Sequence, residues 1–310
     1  MSTLIEAVDL KQHYPVRQGL LGRQTAAVKA VDGVNLRIHR GEVLGLVGES
    51  GSGKSTLGRN LMMMERPTSG AVLYEGSDLA GRSHKALHPY RRKMQMVFQD
   101  PFSSLNPRMT VEDSLTMPLR FHQPELSAAQ RRDAAAETLE RVGLPRSMIT
   151  RYPHEFSGGQ RQRIGIARGL IVRPEFMVAD EPVSALDVSV QAQVVNLMME
   201  LQAELGLSYL FISHDMAVVE RVSHNVGVMY LGRIVEIGPR AAVFENPQHP
   251  YTQALMKAVP VADPHRRKSE KDLNFKPIPS PIHPVGYEPE PNAYEEVSPG
   301  HFVLTSDSGY

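Results

Sequence analysis

The sequence predicts an α/β fold built on a parallel sheet, and three observations carry that prediction. Short apolar runs at 43–47, 176–179 and 209–212 suit strands buried on both faces. Stretches with helical spacing of apolar residues lie between them, notably 158–170 and 189–205. The first apolar run passes through a glycine-rich turn into a helical stretch marked by Leu57, Leu61 and Met64, which is how a βαβ unit begins.

Taken in order, residues 4–10 and 27–38 alternate apolar and polar side chains (Val28, Val31, Val34, Leu36, Ile38), as strands of a half-exposed sheet do. Gly19 to Gln24, between them, reads as an exposed loop. Over 127–143, Ser127 and Gln130 are spaced for a capping box. Ala135, Leu139 and Val142 share one face there, and Gly143 stands where a helix C-terminal cap belongs. Val190, Val194, Leu197, Leu201 and Leu205 line one side of the helix predicted at 189–205. Segments 226–230 and 233–237 form a predicted hairpin turning at Leu231-Gly232. Beyond about residue 246 the texture becomes proline-rich (Pro277, Pro279, Pro281, Pro284, Pro289, Pro291, Pro299). Over 260–310 the expectation is an extended strap with little core of its own.

Composition narrows the classes of function. The 310 residues suffice for a substantial core, and 41% hydrophobic with 22% charged is ordinary for a globular protein. Net charge is zero, and the basic runs Arg131-Arg132 and Arg266-Arg267-Lys268 are short, so no nucleic-acid partner is expected. With no cysteine there is no disulfide, thiolate zinc site or cysteine nucleophile. No segment approaches the ~18 consecutive apolar residues of a membrane helix. The start, Met-Ser-Thr-Leu-Ile-Glu-Ala, lacks a basic stretch followed by an apolar run, so no secretory signal is expected.

The chemistry begins at Gly48-Glu49-Ser50-Gly51-Ser52-Gly53-Lys54-Ser55, which satisfies G-x-x-x-x-G-K-[ST] and precedes Thr56. Glycines let backbone N–H groups converge on phosphate oxygens, and the following helix adds its positive N-terminal dipole. Lys54 would neutralise the β- and γ-phosphates, and the Ser55 hydroxyl would ligate Mg²⁺. A phosphate loop also needs a carboxylate for the metal and a group that positions water. Asp180 and Glu181 follow the apolar run 176–179, with Asp180 placed to hold Mg²⁺ and Glu181 to act as general base or to orient water. Ser157, Gly158, Gly159 and Gln160, at a helix start, make a second anion cradle. One chain has no evident need of two cradles for one nucleotide. Two chains packed head to tail would each cover the other's ATP.

In this ordering of motifs the sequence resembles the ATP-binding-cassette (ABC) superfamily, whose signature has this form with Leu more usual at the position of Phe156. The resemblance implies a P-loop NTPase fold with a parallel-sheet core, an antiparallel β subdomain and an inserted helical subdomain. It implies further roles. Gln99 would touch metal and water and sense the membrane partner, Asp187 in Ser184-Ala-Leu-Asp would communicate across a dimer, His214 would contact the γ-phosphate, and Tyr14 would stack on adenine. The expected organisation is a nucleotide-binding domain over 1–245, with a helical subdomain about 100–172, and an extension over 246–310.

Finer resemblance lies in 98–107, 152–163, 184–193 and 249–254, which look like the dipeptide/oligopeptide importer ATPases, closest to the F-type dipeptide subunit. That implies ATP and Mg²⁺, a second cassette subunit (a paralogue), two transmembrane permeases, an extracytoplasmic binding protein, and a place on the cytoplasmic face of a bacterial inner membrane. Nickel, glutathione, opines and glycosides are alternative cargoes in this group, and a soluble ABC ATPase that moves no solute is the alternative of another class. Many of these relatives carry a cysteine cluster near the C-terminus that can hold an iron–sulfur centre. This chain has no cysteine, so no cluster is expected.

Overall fold

The computed structural model describes residues 2–18, 23–100, 104–258, 280, 282–287 and 290–306. Its core is an eight-stranded sheet in the order β12-β13-β10-β9-β3-β8-β7-β6. Strands β3 (Val43–Val47), β6 (Met94–Val97), β7 (Phe176–Asp180), β8 (Ser208–Ile212) and β9 (Asn225–Tyr230) run parallel. The apolar runs are continuous because both faces of these strands are covered. Val43, Val47, Met177, Ala179, Tyr209 and Phe211 enter one hydrophobic core, while Leu44, Leu46, Phe176, Val178, Leu210 and Ile212 enter the other.

The second core lies under a five-stranded antiparallel sheet, in the order β11-β2-β1-β4-β5. Its long strands are β1 (Thr3–Gln18) and β2 (Arg23–His39), joined with several register shifts. Both outrun the alternating segments read from the sequence, because the bulges interrupt alternation without ending the pairing. Of the predicted loop at 19–24, residues 19–22 lie outside the described residues, and Arg23 and Gln24 belong to β2. Strands β4 (Ser69–Tyr74) and β5 (Ser77–Asp78) complete this sheet.

Helix α1 (Lys54–Leu61) follows the phosphate loop and ends before Met64, since Met63 takes positive φ. α2 (His88–Lys93) leads into β6. The first core is covered by α3 (Val111–His122), α4 (Ala128–Arg141), α5 (Gly158–Leu170) and α6 (Val188–Leu205). Periodicity did not single out α3, which carries an internal proline, Pro118. The Ser127–Gln130 capping box is present on α4. α7 (Met216–Val222) precedes β9, and β9 turns into β10 (Arg233–Pro239) through Leu231 and Gly232, both with positive φ as a tight hairpin turn requires.

The C-terminal region departs from the expected strap. α8 (Arg240–Glu245) and α9 (Pro250–Ala258) are followed, after the segment outside the described residues, by β11 (Ile282–Pro284), β12 (Tyr294–Ser298) and β13 (His301–Leu304). β11 pairs with β2, and β13 pairs with β10, so this region extends both sheets. Val303 and Leu304 are buried. So are His301, 1% exposed, and Glu236 of β10, 0% exposed, whose side chains meet at 2.7 Å. Proline content hid these strands: Pro284 ends one at an edge, and Pro299 lies in the β12–β13 turn, where neither breaks a ladder.

Candidate functional site

The loop 48–53 leaves β3, which lies between β9 and β8, and is folded by positive φ at Gly48, Gly51 and Gly53. Two of these glycines are sterically obligatory. A Cβ at Gly48 would sit 2.1 Å from the Met229 carbonyl oxygen, and one at Gly53 would sit 1.9 Å from that of Ala30. Ser50 and Gly51 face outward at the crest. Lys54 is buried and donates from Nζ to the Gly48 and Glu49 carbonyls, both at 2.7 Å, and to Ser52 Oγ at 3.3 Å. Burial pushes its ammonium pKa down, opposed by the negative charges of Glu181, Asp180 and Glu49. The lysine therefore bends its charge back over the loop that the sequence assigned to phosphates.

Asp180, at the end of β7, is buried and accepts a hydrogen bond from Ser55 Oγ at 2.8 Å. Burial raises its pKa, the Ser55 hydrogen bond lowers it, and the neighbouring Glu181 charge raises it further. Glu181 takes φ +46° and donates its backbone N–H to the Ile212 carbonyl. A non-glycine residue in this conformation is costly, and such strain collects at functional sites. Glu181 Oε2 accepts from Gln99 Nε2 at 2.8 Å and lies 3.3 Å from His214 Nδ1. Gln99, Glu181 and His214 thus converge from the C-terminal ends of three neighbouring parallel strands, β6, β7 and β8, the end where α/β sheets bind ligands.

Tyr14, on β1, is partly exposed, lies beside Thr56, and donates its hydroxyl to Glu65. Burial and then the Glu65 carboxylate raise the pKa of that hydroxyl. Its ring remains accessible near the start of α1.

Ser157, Gly158, Gly159 and Gln160 sit apart from this cluster at the N-terminus of α5. Ser157 Oγ accepts from the Gln160 N–H, and Gln160 Oε1 accepts from the Ser157 N–H. Gly159 packs so closely on α6 that a Cβ would meet Val190 at 2.2 Å. Among the described residues, no hydrogen bond or ion pair joins 157–160 to 48–56. Asp187, exposed, is the N-cap residue of α6 without a side-chain cap bond. One feature escaped sequence reasoning. Tyr251 of α9 accepts a hydrogen bond from the Glu49 N–H at 3.0 Å, so the C-terminal region reaches the phosphate loop. Its only signal in the sequence is the segment 249–254, whose resemblance to the importer ATPases says nothing of this contact.

A buried strand, a glycine loop closed by Lys54, an acidic pair at the end of β7 and a separate helix-borne anion cradle together define a P-loop fold of the ATP-binding-cassette class. Residues 31–184 match the family model described as ABC transporter, and residues 235–283 match that described as oligopeptide/dipeptide transporter, C-terminal region. The chain belongs to the ABC transporter family and is of its oligopeptide/dipeptide type. It is 52% identical over 304 residues to the glutathione import ATP-binding protein GsiA of Escherichia coli K12 and to that of Salmonella paratyphi A. Each match covers 97% of this chain and 48% of the relative, so the chain spans about half the length of the curated relatives it matches. Among solved structures, the ADP- and Pi-bound dimer of the cassette MJ0796 matches with TM-score 0.68 and 28% identity, over 76% of this chain and 99% of that one. CbiO1 of Clostridium perfringens, part of the ABC transporter complex cbiONQ, matches with TM-score 0.68 and 28% identity, over 79% of this chain and 92% of that one.

Proposed function

We propose that the chain binds MgATP as one half of a pair of cassettes and hydrolyses it to drive import of a peptide-class solute through membrane-embedded permease subunits. The observation that carries this reading is the division of the site. The phosphate loop and the Gln99–Glu181–His214 group lie together, while the cradle at 157–160 is folded, capped and unconnected to them in the same chain. A second cassette packed head to tail would use it.

In this reading backbone N–H groups from Ser50 to Thr56 receive the polyphosphate and Lys54 neutralises it. The Ser55 hydroxyl, the Asp180 carboxylate and the amide oxygen of Gln99 form an all-oxygen donor set of the kind that suits a hard divalent cation. These residues would hold Mg²⁺, which supplies charge neutralisation when bound. Glu181 orients or deprotonates the attacking water, and its contacts with Gln99 and His214 support that role by fixing the carboxylate near where a γ-phosphate would end. His214 would contact that phosphate, and Tyr14 would stack on adenine. Asp187 and the exposed Val188 would meet the partner cassette. No helix among the described residues is long and apolar enough to cross a membrane, so the proposed location, peripheral on the cytoplasmic face of the inner membrane, depends on the permeases. The peptide cargo is supported by the C-terminal match and by the relatives named for import of glutathione, itself a tripeptide.

The test is an affinity pull-down of the Glu181→Gln protein from detergent-solubilised membranes with MgATP. The substitution is expected to retain ATP binding, abolish turnover and hold the closed pair. Co-purification of permeases and a second cassette is the expected result. Recovery of ribosomes or nucleic acid without membrane protein would overturn the transport reading, and turnover at the wild-type rate would overturn the role of Glu181.

A further inference from the structure

Glu49 stands out within the phosphate loop because its peptide groups are held on both sides. Its carbonyl accepts from Lys54 Nζ at 2.7 Å, inside the loop. Its N–H points outward to Tyr251 Oη at 3.0 Å. Tyr251 belongs to α9, far along the chain, and is 2% exposed. Its ring packs against Tyr230 at the end of β9, with centroids 4.3 Å apart.

The support behind Tyr251 is also built from buried polar groups. The Tyr251 N–H donates to His249 Nδ1 at 3.1 Å, which fixes the first turn of α9. Burial lowers the His249 pKa, against the pull of Glu236, so the ring favours the neutral form that this acceptor role requires. Glu236, wholly buried on β10, accepts from the backbone N–H groups of Gln248 at 2.9 Å and His249 at 3.0 Å, and its Oε1 meets His301 Nε2. A continuous hydrogen-bonded path therefore runs from β13 through Glu236, His249 and Tyr251 to the backbone of the phosphate loop.

We propose that Tyr251 is a positioning residue for ATP, through which the C-terminal region holds the phosphate loop in its binding-competent shape before nucleotide arrives. The physical cause is pre-organisation. An exposed glycine-rich loop samples many conformations, and only the competent fraction binds, so the apparent Kd rises as that fraction falls. Pinning the Glu49 N–H from outside the nucleotide side restrains the loop without occupying a group that faces phosphate. Tyr251 bonds to the loop backbone and lies outside the Gln99–Glu181–His214 group, so its effect falls on affinity and not on the chemical step.

The discriminating variant is Tyr251→Phe, which removes the hydroxyl and keeps the ring packed on Tyr230. Loss of one neutral hydrogen bond of ordinary strength predicts a rise of about five-fold in Kd for MgATP, with kcat changed less than about two-fold. Tyr209→Phe is the matched control, because the Tyr209 hydroxyl is buried and has no hydrogen-bond partner. A packing role alone predicts an unchanged Kd for Tyr251→Phe. Amide hydrogen exchange gives a second readout on the full chain: the Glu49 N–H should be protected in nucleotide-free wild type and lose protection in the variant. An unaltered Kd, an unprotected Glu49 amide in wild type, or an equal effect of Tyr209→Phe would each overturn the proposal. The inference rests on reading 48–56 as the ATP phosphate loop. Failure of wild-type protein to bind MgATP defeats that reading, whereas wild-type binding with an indifferent Tyr251→Phe defeats only this one.

Discussion

Replacing His301 with leucine preserves much of the side-chain volume and removes the hydrogen bond between β13 and the buried Glu236. Glu236 is 0% exposed and His301 1% exposed, so water cannot replace the lost partner. Leaving a buried hydrogen-bonding group without one of its partners costs about 1–3 kcal/mol. Two of the Glu236 donors, the Gln248 and His249 N–H groups, survive the substitution. The middle of that range therefore applies, about 2 kcal/mol. For a domain of this size each kcal/mol moves Tm by about 2–4 °C, so the expected fall is about 4–8 °C. Circular dichroism melts of the full chain measure it, with Glu295→Gln on the exposed face of β12 as a control expected to stay within about 2 °C. A His301→Leu protein melting together with wild type would refute the reasoning. It would mean that 294–304 lies loosely over the domain, as the proline-rich composition suggests, and contributes nothing to the core sheet.

The phosphate loop yields a graded pair. Gly53→Ala forces a Cβ to within 1.9 Å of the Ala30 carbonyl oxygen, so the loop must retreat by about 1 Å. Displacement on that scale is expected to weaken MgATP binding or turnover about 100-fold, measured by calorimetry and phosphate release. Gly51→Ala meets nothing within 4 Å and suffers only the left-handed strain of about 1–2 kcal/mol, so it should retain far more activity. Asp180→Asn should separate stability from function. The folded state raises the Asp180 pKa, chiefly by burial, so the protonated form is favoured by folding, and that contribution is lost as pH rises through the raised pKa. Asparagine keeps an acceptor for Ser55 without the charge. The nucleotide-free variant should therefore melt above wild type at neutral pH, with the gap closing as pH falls below the ordinary carboxylate range, while ATP turnover is lost. A lower Tm for the variant at neutral pH would contradict this account.

Local rules made much of the molecule legible. The strands β3, β7 and β8 were visible because burial on both faces demands unbroken apolar runs. The Ser127–Gln130 box and the Leu231-Gly232 turn were visible because caps and tight turns impose residue types over three or four positions. The phosphate loop was readable for the same reason, since at Gly48 and Gly53 the adjoining backbone leaves no room for a side chain.

Sequence patterns thus exposed many of the elements and the chemistry each could bear, though not α3 or β11–β13. Which of them meet is settled by packing. Gln99, Glu181 and His214 are separated by 82 and 33 positions along the chain. They converge because parallel pairing of β6, β7 and β8 aligns their C-terminal ends. The cradle at 157–160 had to await the fold to be seen lying apart from the phosphate loop of its own chain. The C-terminal region shows the limit most plainly. Tyr251 on Glu49 and His301 on Glu236 are contacts across 202 and 65 residues, and no periodicity encodes them. A sequence pattern reports what each segment needs to bury, and long-range packing alone settles against what.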